Sequence, residues 1–259
     1  MAVYCVPRIE QLEEFCEYSS LYGVLFEYNE FFIPQILMNE EKKKEIIEIY
    51  KSLDRDRSRD TMHGAFLDIV VNSDDPEIYE ISKKRVYQCM DIAKELGIKA
   101  VIFHTNYITN FKVSSYRQYW VDRNEKFWRE TLKAYPDLMI YLENMFDEGP
   151  ELLTKLAERM KDEERFGVCL DFAHAFVSGT PIDEWVEQLK PYIKHVHVND
   201  NDGFEDCHYP VGQGKFPWEC FKDWIASMEK NPSILIEVKG AEEFKESAVY
   251  MQQQGFFDK

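Results

Sequence analysis

Histidines and carboxylates recur in this chain at the ends of short apolar runs. His104 ends the run VIFH, Glu143 ends IYLE, and Asp171 ends VCLD. His197 lies near the end of HVHV, and Glu237 ends ILIE. Imidazole and carboxylate groups that share a cavity suit proton transfer and a divalent ion such as Zn²⁺, Mn²⁺ or Co²⁺ better than Ca²⁺. These five residues are therefore the first candidates for chemistry.

Further histidines and an aspartate extend this pattern. His63 lies in the run TMHGAF, His174 lies in the segment that follows VCLD, and Asp206 and His208 are two apart in DCHYPVGQG. The remaining histidine, His195, shares a strand face with the histidine two residues later, because side chains alternate along a strand. Several carboxylates around one cavity would repel each other unless a cation neutralised them. The pattern therefore indicates a metal site.

The elements that must position these residues follow a regular rhythm of strand, turn and helix. The predicted strands are Val3–Val6, Gly23–Tyr28, Thr61–Phe66, Lys99–His104, Leu138–Glu143, Gly167–Asp171, Ile193–Val198 and Ser233–Val238. Apolar residues at the helical period and proline or glycine boundaries predict helices between them. The predicted helices are Pro76–Leu96, Pro150–Met160, Pro181–Leu189, Glu219–Met228 and Glu242–Gln253.

The strand composition predicts an α/β fold with a parallel sheet. The runs AVIF and ILI are apolar throughout, as in strands that are buried on both faces. Eight such strands alternating with helices predict a single (β/α)8 TIM barrel that forms one domain over residues 1–259. A doubly wound open sheet is the alternative, but no G-x-G-x-x-G follows the first strand. In a barrel, chemistry collects at the carboxyl ends of the strands, where the candidate residues lie.

The net charge limits the partners. With 48 acidic residues against 31 Lys and Arg, the formal charge is −17. This charge makes nucleic acid an unfavourable partner and argues against an anionic membrane surface, because both need clustered basic residues. The sequence shows no signal peptide and no apolar run of about 18 residues, and its six cysteines are widely spaced. We therefore expect a cytoplasmic protein with reduced thiols, and the sequence leaves a homo-oligomer open.

Seven motifs in order give the chain a family resemblance. HGAF, VIFHTN, LENM, LDFAHAFVSG, HVHVND, DCHYPVGQG and ILIEVKG together resemble the xylose-isomerase-like TIM-barrel superfamily. The resemblance extends from about Val3 to Glu246. That superfamily contains sugar and sugar phosphate isomerases and epimerases, and also the endonuclease IV type of apurinic-site nuclease.

The isomerase and epimerase branch implies a site with one divalent ion, Mn²⁺, Zn²⁺, Co²⁺ or Mg²⁺. Its ligands would be Glu143, Asp171, His197 and Glu237. Glu143 and Glu237 would also be the catalytic pair: one removes a proton beside a carbonyl and the other returns it to an enediolate. The substrate implied is a small sugar or sugar phosphate.

Three further residues are candidates for binding that substrate. They are His104, His174 and Lys239, of which Lys239 is two residues beyond Glu237 and is expected to share its inward face. Gly212 and Gly214 in PVGQGKF could approach a phosphate, although two glycines in a turn usually reflect backbone geometry.

The nuclease branch implies three zinc ions and nine ligands, all of which have counterparts here. The three groups would be His63, His104 and Glu143; Glu143, Asp171, His197 and Glu237; and His174, Asp206 and His208. Two features argue against a nuclease. One is the net charge of −17, and the other is the acidic and aromatic segment EYNEFFIPQILMNEE, which follows the second strand. We therefore favour an isomerase or epimerase, with the nuclease, a metal-dependent lyase or dehydratase, and a barrel that only binds a ligand as alternatives.

Overall fold

Eight parallel strands follow one another in chain order and close into a barrel. The computed structural model describes residues 1–109, 113–228 and 230–256. The strands are β1 (Val3–Cys5), β2 (Leu25–Tyr28), β3 (Thr61–His63), β4 (Ala100–His104), β5 (Met139–Glu143), β6 (Phe166–Asp171), β7 (Ile193–Val198) and β8 (Ser233–Ile236). The predicted (β/α)8 TIM barrel is confirmed, and the doubly wound alternative is wrong.

Helices run between the strands. They are α1 (Leu12–Tyr22), α2 (Pro34–Met38), α3 (Glu40–Lys51), α4 (Pro76–Leu96), α5 (Ser114–Ala134), α6 (Glu151–Arg159), α7 (Phe172–Val177), α8 (Ile182–Leu189), α9 (Trp218–Ser227) and α10 (Ala241–Gln253). Among the described residues, no helix has both the length and the apolar character that crossing a bilayer requires.

Helix α4 has the bounds that the sequence predicted, because its local signals agree. The Asp75 side chain accepts a hydrogen bond from the Glu77 N–H at 2.8 Å, and Pro76 occupies the first helical position. At the other end Gly97 adopts a left-handed conformation with φ of 74°, and its N–H donates to the last turn. Glycine is favoured there because a side chain is strained at positive φ.

The sequence analysis missed α5, because polar residues interrupt its buried face. Asn124 and Thr131 are buried there beside aromatic residues. Each is satisfied within the helix: Asn124 accepts a hydrogen bond from Trp128 Nε1 at 3.0 Å, and Thr131 Oγ1 donates to the Phe127 carbonyl at 2.9 Å. A count of apolar residues therefore underestimates the buried face of this helix.

Strand β3 ends at His63, so the predicted extension to Phe66 is wrong. The Gly64 N–H still donates to the Ile102 carbonyl at 2.7 Å. The Phe66 N–H instead donates to the carbonyl of Phe32, which lies in a 3-10 helix after β2. The chain thus leaves the β3–β4 ladder after Gly64.

The chain divides into two compact units. The first comprises residues 1–27 and 148–151 together with the part of the chain from 168 onward, and the second comprises 28–147 and 152–167. In the first, β1 pairs with β2 and β8, and β7 pairs with β6 and β8. In the second, β4 pairs with β3 and β5. The single domain that the sequence suggests stays a prediction.

A buried ion pair precedes β3 in the second unit. Asp60 is completely buried, and the side chain of Arg55 is 12% exposed. Arg55 binds both carboxylate oxygens of Asp60, and the Tyr28 hydroxyl donates to the same carboxylate at 2.8 Å. The locally basic segment RDRSRD therefore uses its first arginine to neutralise an internal aspartate.

Removing Arg55 should destabilise the protein strongly. Arg55→Ala leaves the Asp60 carboxylate buried without its cation, so we expect the free energy of unfolding to fall by about 3–5 kcal/mol. The exposed Lys44 of α3 offers a matched control, since Lys44→Ala should change it by no more than about 0.5 kcal/mol. Urea unfolding measures both, and equal effects of the two substitutions would contradict this role for Arg55.

Candidate metal and catalytic site

Two imidazoles face one carboxylate in the second unit. Glu143 is the last residue of β5 and is the register partner of His104, the last residue of β4. His104 Nε2 lies 3.4 Å from Glu143 Oε2, and His63 Nε2, at the end of β3, lies 3.5 Å from the same oxygen. All three residues are buried. The carboxyl ends of three neighbouring strands thus bring together a group that could bind a metal ion.

Asp171, His197 and Glu237 meet in the first unit. Asp171 and His197 are register partners on β6 and β7. His197 Nδ1 lies 3.3 Å from Glu237 Oε2 and 4.0 Å from Asp171 Oδ2. The Asp171 and His197 side chains are fully buried, whereas that of Glu237 is 17% exposed. An imidazole nitrogen and two carboxylates therefore lie close together, and Glu237 is the partly exposed member of this group.

A side-chain hydrogen bond fixes the Asp171 carboxylate, and a backbone hydrogen bond positions Glu237 beside β7. Asp171 caps α7, since its Oδ1 accepts a hydrogen bond from the His174 N–H at 2.7 Å. This bond leaves Oδ2 as the oxygen nearer to His197. Glu237 directly follows β8, and its N–H donates to the Val198 carbonyl at 2.9 Å, one residue beyond the assigned strand.

The sequence analysis missed Glu27. Glu27 lies within β2 and inside the predicted strand Gly23–Tyr28, but it was not among the candidate residues, and it is completely buried. Its carboxylate oxygens lie 3.3 Å from His195 Nε2 and 3.2 Å from His197 Nε2. A glutamate inside the apolar run VLFEY is the signal that could have found it, because a buried carboxylate needs partners.

The two imidazoles keep Glu27 ionised. Burial raises the pKa of its carboxyl, but the neighbouring His197 and His195 lower it more, and the net pKa lies well below its usual range. Glu27 is therefore a fixed negative charge on the side of His197 opposite Asp171 and Glu237.

A third cluster lies in the loop after β7. Asp206 Oδ2 lies 3.3 Å from His174 Nε2 and 3.0 Å from His208 Nε2. His208 Nδ1 lies 3.0 Å from the Glu237 carbonyl, and His208 has a left-handed backbone with φ of 50°. Burial lowers the pKa of His208, but the Asp206 hydrogen bond and the charges of Glu237 and Asp206 raise it to about 10.

The two glycines of PVGQGKF surround a protein carboxylate. Asp200 is completely buried and accepts hydrogen bonds from the N–H groups of Gly212 at 2.9 Å and Phe216 at 3.0 Å, and from Trp218 Nε1 at 2.7 Å. A Cβ added at Gly214 would lie 2.2 Å from Asp200 Oδ1. The suggestion that these glycines approach a phosphate is therefore wrong, because Asp200 occupies that position.

The expected inward orientation of Lys239 is also wrong. Strand β8 ends at Ile236, so the alternation of side chains does not extend to Lys239, which is exposed. Its contact with a substrate stays a prediction.

The chain matches the family model described as a xylose isomerase-like TIM barrel over residues 25–259. The chain belongs to the xylose isomerase-like TIM-barrel family. Two curated proteins extend the comparison. An uncharacterized protein of Methanocaldococcus jannaschii is 28% identical, covering 71% of this chain and 68% of that protein. A probable endonuclease 4 of Protochlamydia amoebophila is 36% identical over 28% of this chain and 31% of that protein.

Solved structures of this family share the fold at low sequence identity. A D-tagatose 3-epimerase-like protein has a TM-score of 0.76 at 21% identity, covering 99% of this chain and 98% of its own. A Thermus thermophilus protein whose structure was determined after soaking with ZnCl2 has a TM-score of 0.75 at 20% identity over 100% of both chains. Endonuclease IV of the same organism has a TM-score of 0.63 at 16% identity, covering 98% of this chain and 100% of its own. At these sequence identities, the similarity establishes a shared fold and not a shared activity.

The pKa of His208 tests the geometry of the third cluster. In the metal-free protein, Asp206→Asn should lower this pKa from about 10 toward its usual value of 6.5, since an amide attracts the imidazolium less than a carboxylate does. The raised pKa stabilises the folded state fully below pH 6.5, and this contribution is lost as the pH rises through about 10.

An NMR titration of the histidine ring resonances measures both pKa values. Glu205→Gln, one residue away and exposed, is the control and should leave the pKa of His208 unchanged. A pKa near 6.5 in the unsubstituted protein would contradict the proximity of Asp206.

Proposed function

We propose that this protein isomerises or epimerises a small sugar or sugar phosphate with the help of one divalent metal ion. The observation that carries the proposal is the convergence of Asp171, His197 and Glu237, whose ligand atoms lie within 4.8 Å of one another. Glu143, at the end of the neighbouring strand β5 in the barrel order, would complete the ligand set.

The donor set fits a divalent ion. His197 offers Nδ1, and Asp171 and Glu237 offer carboxylate oxygens at 4.0 Å and 3.3 Å from it. One imidazole with three carboxylates suits Mn²⁺, Co²⁺, Zn²⁺ or Mg²⁺. Carboxylates that are buried this closely would repel one another without a cation. Zinc also appears in the soaking solution of a structural relative.

Two glutamates would move the substrate proton. Glu237 is partly exposed and would remove a proton from the carbon beside a carbonyl. Glu143 is buried against His63 and His104 and would return a proton to the enediolate. A divalent ion, when bound, polarises the substrate oxygens and stabilises their developing negative charge. His104 and His174 would donate hydrogen bonds to substrate hydroxyl groups.

The family supports a sugar substrate over other small molecules. The structural relative with a TM-score of 0.76 is described as a D-tagatose 3-epimerase-like protein, so one member of this fold is related to a ketose epimerase. Ketoses are therefore the first substrates to test.

Glu237→Gln should remove the proton transfer and preserve the fold. An amide cannot act as the general base, so we expect the exchange of a carbon-bound substrate proton with solvent deuterium to fall about 10²- to 10⁴-fold. The assay follows that exchange by NMR across a panel of ketoses. Glu242→Gln, on the exposed first turn of α10, is the matched control. Exchange by Glu237→Gln at the rate of the unsubstituted protein would disprove the role of Glu237.

A tri-zinc apurinic-site nuclease is the second candidate. The observation that favours it is the presence of two more histidine–carboxylate clusters, one around Glu143 and one around Asp206. The short match to a probable endonuclease 4 supports it as well.

Metal content separates the two candidates. We expect about one bound ion per chain after dialysis, because the isomerase site uses one divalent ion. Elemental analysis measures this ratio, and a nicking assay on DNA with an abasic site measures nuclease activity. Three zinc ions together with strand cleavage would replace the isomerase proposal by the nuclease.

A further inference from the structure

Glu27 contacts the face of His197 that points away from the proposed metal position. The carboxylate and the imidazole are completely buried, and Glu27 Oε1 lies 3.2 Å from His197 Nε2. On the other side of the ring, Nδ1 lies 3.3 Å from Glu237 Oε2. The two ring nitrogens therefore face carboxylates from opposite directions.

The ring proton is better placed on Nε2 with or without a bound cation, because Glu27 is completely buried whereas Glu237 is 17% exposed and can be solvated. A neutral imidazole carries one N–H group, and an ionised carboxylate can only accept hydrogen bonds. With the proton on Nε2, the N–H group faces Glu27 Oε1 across 3.2 Å, and the lone pair of Nδ1 faces Asp171 and Glu237. With the proton on Nδ1, the lone pair of Nε2 would face the Glu27 oxygen at 3.2 Å, where two acceptors repel each other.

His195 lies beside the other carboxylate oxygen of Glu27. His195 Nε2 lies 3.3 Å from Glu27 Oε2, and its Nδ1 lies 2.6 Å from Ser233 Oγ. The ring is completely buried and meets the Tyr4 ring edge-on, with 5.2 Å between the centroids. The Ser233 hydroxyl also donates to the Lys194 carbonyl at 3.4 Å, so Ser233 Oγ can either donate to Nδ1 of His195 or accept from it. Each oxygen of the Glu27 carboxylate therefore lies within 3.3 Å of an imidazole nitrogen.

We propose that Glu27 is a positioning residue that keeps the proton of His197 on Nε2, so that Nδ1 is the metal-binding atom. This inference rests on the proposed metal site. Glu27 does not touch the substrate or the ion; it acts through the ring of His197. A carboxylate that accepts the second N–H group of a histidine ligand orients the ring and raises its basicity.

The ring proton can be located without any metal. Two-bond ¹H–¹⁵N correlation spectra of the metal-free protein, at a pH where the ring is neutral, distinguish the two tautomers of each histidine. We expect His197 to carry its proton on Nε2. A His197 ring protonated on Nδ1 would overturn the proposal, even if the protein binds metal and turns over a sugar.

Glu27→Gln should change both the tautomer and the metal affinity. A glutamine side chain offers one acceptor and one donor in place of two acceptors, so it cannot accept hydrogen bonds from both imidazoles. We expect a population of His197 with its proton on Nδ1 and an affinity for Mn²⁺ lower by about 10- to 100-fold. Isothermal titration calorimetry with Mn²⁺ measures this change.

His195→Gln is the matched variant. Its side-chain amide can still donate to Glu27, and the contact between Glu27 and His197 is kept. We therefore expect the His197 tautomer and the Mn²⁺ affinity to stay close to those of the unsubstituted protein. Unchanged Mn²⁺ affinity in Glu27→Gln would overturn the proposal. An equal loss in both variants would also overturn it, because the network would then act through packing and not through the His197 proton.

These readouts also separate this inference from the proposed function. A protein that keeps the Nε2 proton on His197 but binds no divalent ion would refute the metal-dependent isomerase and retain the hydrogen-bond role of Glu27. If Glu27→Gln binds Mn²⁺ with unchanged affinity, the proposed role of Glu27 is refuted and the metal-dependent isomerase is retained.

Discussion

The burial of carboxylates is the constraint on which this structure depends. Glu27, Glu143 and Asp171 are at most 1% exposed, and an ionised carboxylate in such surroundings is costly unless positive charge or hydrogen-bond donors compensate it. The parallel barrel supplies such partners where strands end side by side. The register partners His104 and Glu143, and likewise Asp171 and His197, illustrate this arrangement.

The type of partner separates carboxylates that stabilise the fold from those of the proposed metal site. Asp60 is neutralised by Arg55, and Asp200 accepts backbone and indole N–H groups, so both stabilise the fold by contacts within the protein. Asp171 and Glu237 instead approach the same imidazole nitrogen. In the proposed site, a divalent cation would balance the negative charges of these two carboxylates.

The sequence predicted the fold and the strand-end residues because both follow from local patterns. Helix α4 carries a cap, a proline and a terminal glycine, and the apolar runs mark the parallel strands. Glu27 and Asp200 could not be placed by such patterns. Their partners His195, His197 and Trp218 are distant in the sequence or lie across a loop, so only the folded chain shows that the carboxylates are buried. The prediction that Lys239 faces inward was wrong for a related reason. The residue at which a strand ends depends on its hydrogen bonds to the neighbouring strands, and β8 ends at Ile236.

The most direct test of the metal site is anomalous diffraction from crystals soaked with Mn²⁺. We expect one strong anomalous peak per chain, bonded to Nδ1 of His197 and to carboxylate oxygens of Glu143, Asp171 and Glu237. A peak on the Nε2 side of His197, between Glu27 and His195, would contradict it. The absence of any peak beside His197, in crystals that diffract well, would also contradict the proposed metal site.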